Sequence, residues 1–301
     1  MKVLPKEEVL SLFHDWVASA TDVRAAILTG SRVNPRARVD RLSDYDIELY
    51  VDDLEPYWLG DDWLADLGTP LAKCPWQPGS FKEGWLTRLV LFKEGFRIDF
   101  QITDSDLATE NYLNGYQILF DLDDLCSDLP LPTYEGYKIS RPDADEWNKF
   151  AHEFWWDATY VAKTLAREEL FYAKYTLDVV LRFNYLQKLI EWTIGIEHGW
   201  DAQPNKFGRD FDRFIDEARW RQITRTFADA DLAANWRAFY ATLDLFRELG
   251  HKVADELAYD YPQTLEDEVT AYVSLTIGSK VADMGYCRED FGHRQNQEKN
   301  I

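Results

Sequence analysis

Val23-Arg24-Ala25-Ala26-Ile27-Leu28-Thr29-Gly30-Ser31-Arg32, followed after a short basic loop by Leu42-Ser43-Asp44-Tyr45-Asp46-Ile47-Glu48-Leu49-Tyr50-Val51, decides how this chain folds. Val23 to Leu28 reads as a buried strand, Gly30-Ser31 as a tight turn beyond its end, and Asp44 to Val51 as a second strand of alternating character. Side chains alternate across a strand, so Tyr45, Ile47 and Leu49 share one face and Asp44, Asp46 and Glu48 the other. Three carboxylates on one face repel one another unless something positive sits among them. Two acids separated by one residue can bind the same hard cation, and a glycine-serine turn offers backbone N–H groups and a hydroxyl to phosphate. This pattern suggests metal-dependent chemistry on a nucleoside triphosphate; the competing reading is a solvated strand face in an acidic protein.

A second pair of strands adds to the first reading. Trp85 to Phe92 is strand-like, Glu94-Gly95 forms a turn, and Phe96 to Ile102 alternates again. Phe96, Ile98, Phe100 and Ile102 face the core, which leaves Asp99 on the opposite face with Arg97 and Gln101. A third carboxylate on a neighbouring strand would complete a metal cage. Before these strands, residues 5–20 read as an amphipathic helix with Val9, Leu12, Phe13, Trp16 and Val17 in one stripe. Four prolines break residues 52–84 into loop with short helices. Residues 104–125 read as helical, and the prolines between Leu129 and Pro142 mark a domain boundary. Beyond it helices are expected near 145–166, 168–198, 209–227, 230–258 and 263–284, with prolines only at the joints. The last residues are polar and lack apolar periodicity, as a frayed tail would.

The chain has 301 residues, 46% hydrophobic and 15% aromatic, enough for one large or two ordinary domains with real cores. Its formal net charge of -21 argues against a nucleic-acid partner, whose phosphates it would repel, and suits either a cationic small molecule or high solubility. Cys74, Cys126 and Cys287 are too far apart in sequence for a zinc knuckle or redox pair, so free thiols in a reducing cytoplasm are expected. No stretch has the length or apolarity of a membrane span, so no membrane partner is expected.

Several of these words together resemble the aminoglycoside 6-adenylyltransferases, also called streptomycin adenylyltransferases, within the polymerase-beta-like nucleotidyltransferases. They are Gly30-Ser31-Arg32-Val33-Asn34-Pro35, Asp44-Tyr45-Asp46 and Arg97-Ile98-Asp99, then Phe154-Trp155-Trp156 with Thr159-Tyr160-Val161, Trp192 to Glu197, and Tyr259 to Pro262. The resemblance implies an α+β protein: a nucleotidyltransferase domain at 1–135 with a mixed β-sheet and helices, a helical acceptor-binding bundle at 136–284, and a tail at 285–301. It implies transfer of AMP from ATP to a hydroxyl of a cationic aminoglycoside, the 6-hydroxyl of streptomycin, with release of pyrophosphate and two Mg²⁺ ions. Asp44 and Asp46 would bridge the metals. Asp99 would bind the nucleophile-side metal or take the hydroxyl proton. Gly30, Ser31 and Arg32 would meet the nucleotide, and ATP and acceptor would lie in a cleft between the domains. Another small hydroxylated acceptor, or a nucleotide sensor of the same fold, are the alternatives.

Lys206 stands where the family carries a lysine followed three residues later by a second base, here Arg209; it would reach the triphosphate, or else it is a surface lysine. On the helix near 150–165, Glu153, Trp156, Asp157 and Tyr160 follow i, i+3, i+4 and i+7 spacing and share one side. Carboxylates there can pair with ammonium or guanidinium groups while a ring covers a sugar or cation face, so these four are the expected acceptor-binding residues. The plainer reading makes Trp155 and Trp156 core and the acids solvent-facing.

Overall fold

The alternating segments fold as strands where the pattern puts them: β1 is Val23–Thr29 and β2 is Tyr45–Val51, paired antiparallel with Thr29 opposite Asp46. In this computed structural model residues 4–77, 81–82, 84–104, 112–122 and 124–284 are described, and the chain divides into two units, 1–136 and 137–301. The tail expected at 285–301 lies outside the described residues.

The first unit is built on one mixed sheet. Its further strands are β3 (Pro70–Cys74), β4 (Phe81–Lys82), β5 (Trp85–Phe92), β6 (Arg97–Thr103) and β7 (Gln117–Asp121). The spatial order is β3-β5-β6-β2-β1-β7, with β4 paired to β5 alone. Among the described residues every pairing is antiparallel except β2 with β6, which run parallel with Asp46 opposite Asp99 and Glu48 opposite Gln101. One sheet face carries Tyr45, Ile47, Leu49, Ile98, Phe100 and Ile102, and helix α1 (Lys6–Ser19) covers it with Val9, Phe13, Trp16 and Val17. These side chains are withdrawn from water, and their burial fixes the register, since a slip of one residue would carry the acids into the core. On the opposite face Ala25, Ile27 and Tyr50 form a smaller core with Tyr112 and Cys126.

Two expectations are corrected in this unit. Residues 52–84 are not only loop and short helix: they include α2 (Glu55–Leu59) and also β3 and β4. Residues 104–125 contain no helix among those described; β7 lies there instead, completing the sheet beside β1. Of the missed strands, β3 and β7 are the two edges of the main sheet order, with three of five residues of β3 and two of five of β7 exposed, so neither shows the buried alternation of the central strands.

The second unit is helical, as expected, and the α+β class holds for the whole chain. Helix α3 (Ala144–Ala166) starts at Asp143, whose side chain accepts from Glu146 N–H at 2.8 Å. There follow α4 (Leu170–Lys174), a π-helical segment (Tyr175–Leu186), α5 (Gln187–His198), α6 (Glu217–Thr224), α7 (Leu232–Leu257) and α8 (Gln263–Met284). The long helix expected at 209–227 is cut short: 209–216 is an irregular connection with one turn at Phe211–Arg213. Asp216 then caps α6 by accepting from Arg219 N–H, which starts the helix there. The core of this unit gathers Trp147, Phe154, Trp155, Trp192, Phe239 and Phe246, with the Phe154 and Phe246 rings stacked. Among the described residues no helix is long and apolar enough to cross a membrane.

Candidate active site

The parallel pairing of β2 and β6 assembles the candidate site. Because Asp46 and Asp99 are register partners, their side chains emerge side by side on the sheet face away from α1, with Asp44 just before β2 begins. Arg97 lies among them. Its guanidinium makes a two-pronged contact with Asp99, 2.6 and 2.7 Å, and sits 3.6 Å from an Asp44 oxygen. The Asp99 hydrogen bonds, helped by the fields of Asp99, Asp44 and Asp46, outweigh partial burial and raise the Arg97 pKa further. The positive group that three such carboxylates require is therefore supplied by the chain itself.

Gly30 shows why the turn after β1 has no side chain. Its φ is +70°, in the left-handed region, and a Cβ there would fall 2.0 Å from Asp46 Oδ2. The Asp46 carboxylate thus lies directly against the first residue of the short turn helix Gly30–Val33. Ser31 belongs to the same turn, and its carbonyl accepts from Asn34 N–H. Arg32, expected to meet the nucleotide, directs its guanidinium at its own loop in this structure. It donates to the carbonyls of Asp44 at 3.0 Å and Ser43 at 2.6 Å, and it stacks over the Tyr45 ring at 3.8 Å. It clamps the entry to β2 and so sets where Asp44 leaves the backbone.

The donor set is all carboxylate oxygen, as a hard divalent cation prefers, and the residues suit such an ion. As the side chains stand, no three acid, thiol or imidazole groups among the described residues gather tightly enough to cage one. Arg97 engages both oxygens of Asp99. Farther along the same face, Glu48 accepts from the Tyr112 hydroxyl at 2.6 Å, and Tyr50 and Tyr112 share a 3.0 Å bond. Burial and the neighbouring Glu48 raise the Tyr112 pKa, so it stays a protonated donor.

The expected acceptor residues all lie on α3 in the second unit. Trp155 is fully buried, whereas Trp156 is 63% exposed, so the two adjacent tryptophans divide between core and surface. The Trp156 ring stands 6.3 Å from that of Tyr160, over which the Lys163 ammonium sits at 4.3 Å. Glu153 is exposed and 3.9 Å from Lys149. Asp157 accepts from the Tyr185 hydroxyl at 2.9 Å. Lys206 also lies in the second unit, exposed, with its ammonium 5.8 Å from the Tyr137 ring, in a loop where Asn205 caps its N–H at 2.7 Å.

Arg97 and Tyr185 are the functional candidates that the sequence left without a role. For Arg97 a signal existed: an arginine two residues from an aspartate on one strand face must lie beside it. For Tyr185 none did, since its partner is a whole helix away.

A family model described as streptomycin adenylyltransferase matches residues 4–276. An aminoglycoside 6-adenylyltransferase of Bacillus subtilis (strain 168) is 27% identical over 274 residues, covering 89% of this chain and 96% of its own. A Campylobacter jejuni protein of the same name is 27% identical over 273 residues, covering 89% and 94%. One from Staphylococcus aureus is 25% identical over 265 residues, covering 85% and 93%.

Proposed function

The chain belongs to the streptomycin adenylyltransferase family, and we propose that it transfers AMP from ATP to a hydroxyl of an aminoglycoside, the 6-hydroxyl of streptomycin foremost, with pyrophosphate leaving. The reading is carried by one observation above all: the register pairing of Asp46 with Asp99, beside Asp44 and against Gly30. A cluster of carboxylates held on rigid strands next to a side-chain-free turn is what a triphosphate reaction needs and what a passive surface does not.

Asp44, Asp46 and Asp99 would hold divalent cations, Mg²⁺ by the hardness of the donors, and a bound cation neutralises the triphosphate and acidifies the attacking hydroxyl. Gly30 and Ser31 offer backbone N–H groups to the phosphates, where a side chain at position 30 would block close approach. Arg32 fixes the Asp44 backbone, so the acid at the strand entrance does not wander. Asp99, released from Arg97, has two oxygens, one able to accept a proton from the acceptor hydroxyl. On the acceptor side, Glu153 and Asp157 supply negative charge and Trp156 a ring face for a cationic sugar. Lys206 is assigned to the leaving phosphates by the family resemblance.

The deciding measurement is pyrophosphate release from MgATP against a panel of aminoglycosides, with mass spectrometry of the product. An AMP adduct formed on streptomycin and absent from aminoglycosides without the streptidine ring is the expected result. Release with no aminoglycoside adduct would overturn the reading.

A further inference from the structure

Asp157 is the one expected acceptor residue that the fold holds from a second element. The Tyr185 hydroxyl reaches it from the π segment, 2.9 Å away. The tyrosine ring is itself wedged: it meets the Phe150 ring edge-on at 5.4 Å and the Phe154 ring edge-on at 5.9 Å. A ring fixed on two sides delivers its O–H along one direction, so the bond orients Asp157 rather than following it. We propose that Tyr185 is a positioning residue for the acceptor: it fixes the Asp157 carboxylate so that its remaining lone pairs meet an ammonium or guanidinium group of the aminoglycoside beside the exposed Trp156. The proposal rests on the reading of α3 as the acceptor-lining helix.

The chemistry of the pair supports this. An ionised carboxylate accepts at four lone-pair positions, so one tyrosine bond leaves capacity for a bidentate cation. Burial pushes the Asp157 pKa up, the Tyr185 hydrogen bond opposes that rise, and the exposed Glu153 carboxylate one turn away adds to it. Tyr185 therefore helps keep Asp157 charged. Among the charged groups on the elements packed against α3, Lys174 and Arg182 pair with Asp178, and Arg247 of α7 pairs with Glu266 of α8.

Steady-state kinetics of Tyr185→Phe and Asp157→Asn with streptomycin and MgATP test the proposal. Tyr185→Phe keeps the ring and removes the donor. It is expected to raise the acceptor KM about 5-fold or more, as loss of one hydrogen bond to a charged group does, with kcat and the ATP KM within about twofold. It should also move the acidic limb of the acceptor kcat/KM profile to higher pH, because the bond that favoured the charged form is gone; Asp157→Asn should erase that limb. Asp157→Glu, which carries the carboxylate past the tyrosine, should resemble Tyr185→Phe, and it serves if that variant fails to fold. A raised acceptor KM in Asp157→Asn with wild-type KM and pH limb in Tyr185→Phe would overturn the positioning role. So would equal losses in kcat and both KM values alongside a lowered Tm. An unchanged acceptor KM in Asp157→Asn would instead remove the reading of α3 as acceptor-lining, and the inference with it.

Discussion

Gly30 and Asp46 occupy one another's space. A methyl group at position 30 would meet the Asp46 carboxylate at 2.0 Å while holding a left-handed φ. Gly30→Ala is therefore expected to lose roughly 1–2 kcal/mol of stability from backbone strain and, by displacing Asp46, most of its turnover; urea denaturation and kcat/KM read the two effects separately. Asp46→Asn keeps the shape but not the charge, so it should lower kcat/KM about 10²–10⁴-fold and leave Tm at or above that of the parent, since it relieves carboxylate repulsion. A variant with near-parental activity in Mg²⁺ would take Asp46 out of the site. Asp157 gives a second test of sign. Its folded pKa is raised, chiefly by burial, so ionising it costs stability as pH rises from its unfolded value through its folded one. Asp157→Asn should thus be more stable than the parent at pH 7, with the difference closing as pH falls to 4 and below, in thermal melts across that range.

Elements differ in how plainly they were written. The central strands were legible because each buries one face: the alternation of Tyr45, Ile47 and Leu49, or of Ile98, Phe100 and Ile102, is the core itself. The edge strands β3 and β7 lack that contrast, and the connection at 209–216 was obscured because Asp216 ends one pattern and caps the next within a few residues. In the candidate site, the placement of Asp44, Asp46 and Asp99 on one sheet face and of Gly30 in the turn after β1 was readable from the pattern, whereas the turning of Arg32 onto its own loop depends on the path of residues 33–43. One tertiary link was invisible for the same reason. Arg88 of β5 is 1% exposed and pairs with Asp61, which also holds Lys73 of β3. Burial opposes ionisation of Asp61, but hydrogen bonds from Arg88 and Lys73 outweigh it and its pKa is lowered. Asp61→Ala would leave a buried guanidinium without its counter-charge and should cost about 3–5 kcal/mol, measured by urea unfolding. A loss under 1 kcal/mol would mean the link between the 61–64 turn and β5 matters little.

At the scale of the molecule, the excess of 54 acidic over 33 basic residues gives a field that draws cations and repels triphosphate. For an aminoglycoside acceptor, KM should rise with added KCl as the Debye length falls from about 10 Å at 0.1 M toward about 3 Å at 1 M, while the KM for MgATP, gripped at short range, changes less. An acceptor KM indifferent to salt would detach the charge balance from substrate choice. The parallel pairing of β2 with β6 carries a different kind of consequence. Asp46 and Asp99 become neighbours only after the whole excursion from residue 52 to residue 96 has folded back, so the closure of a long loop must precede any meeting of the two acids. On a growing chain β1 and β2 can pair before Asp99 joins Asp44 and Asp46. The strand that brings Asp99 also brings Arg97 two residues ahead of it, so the added carboxylate comes with its own counter-charge.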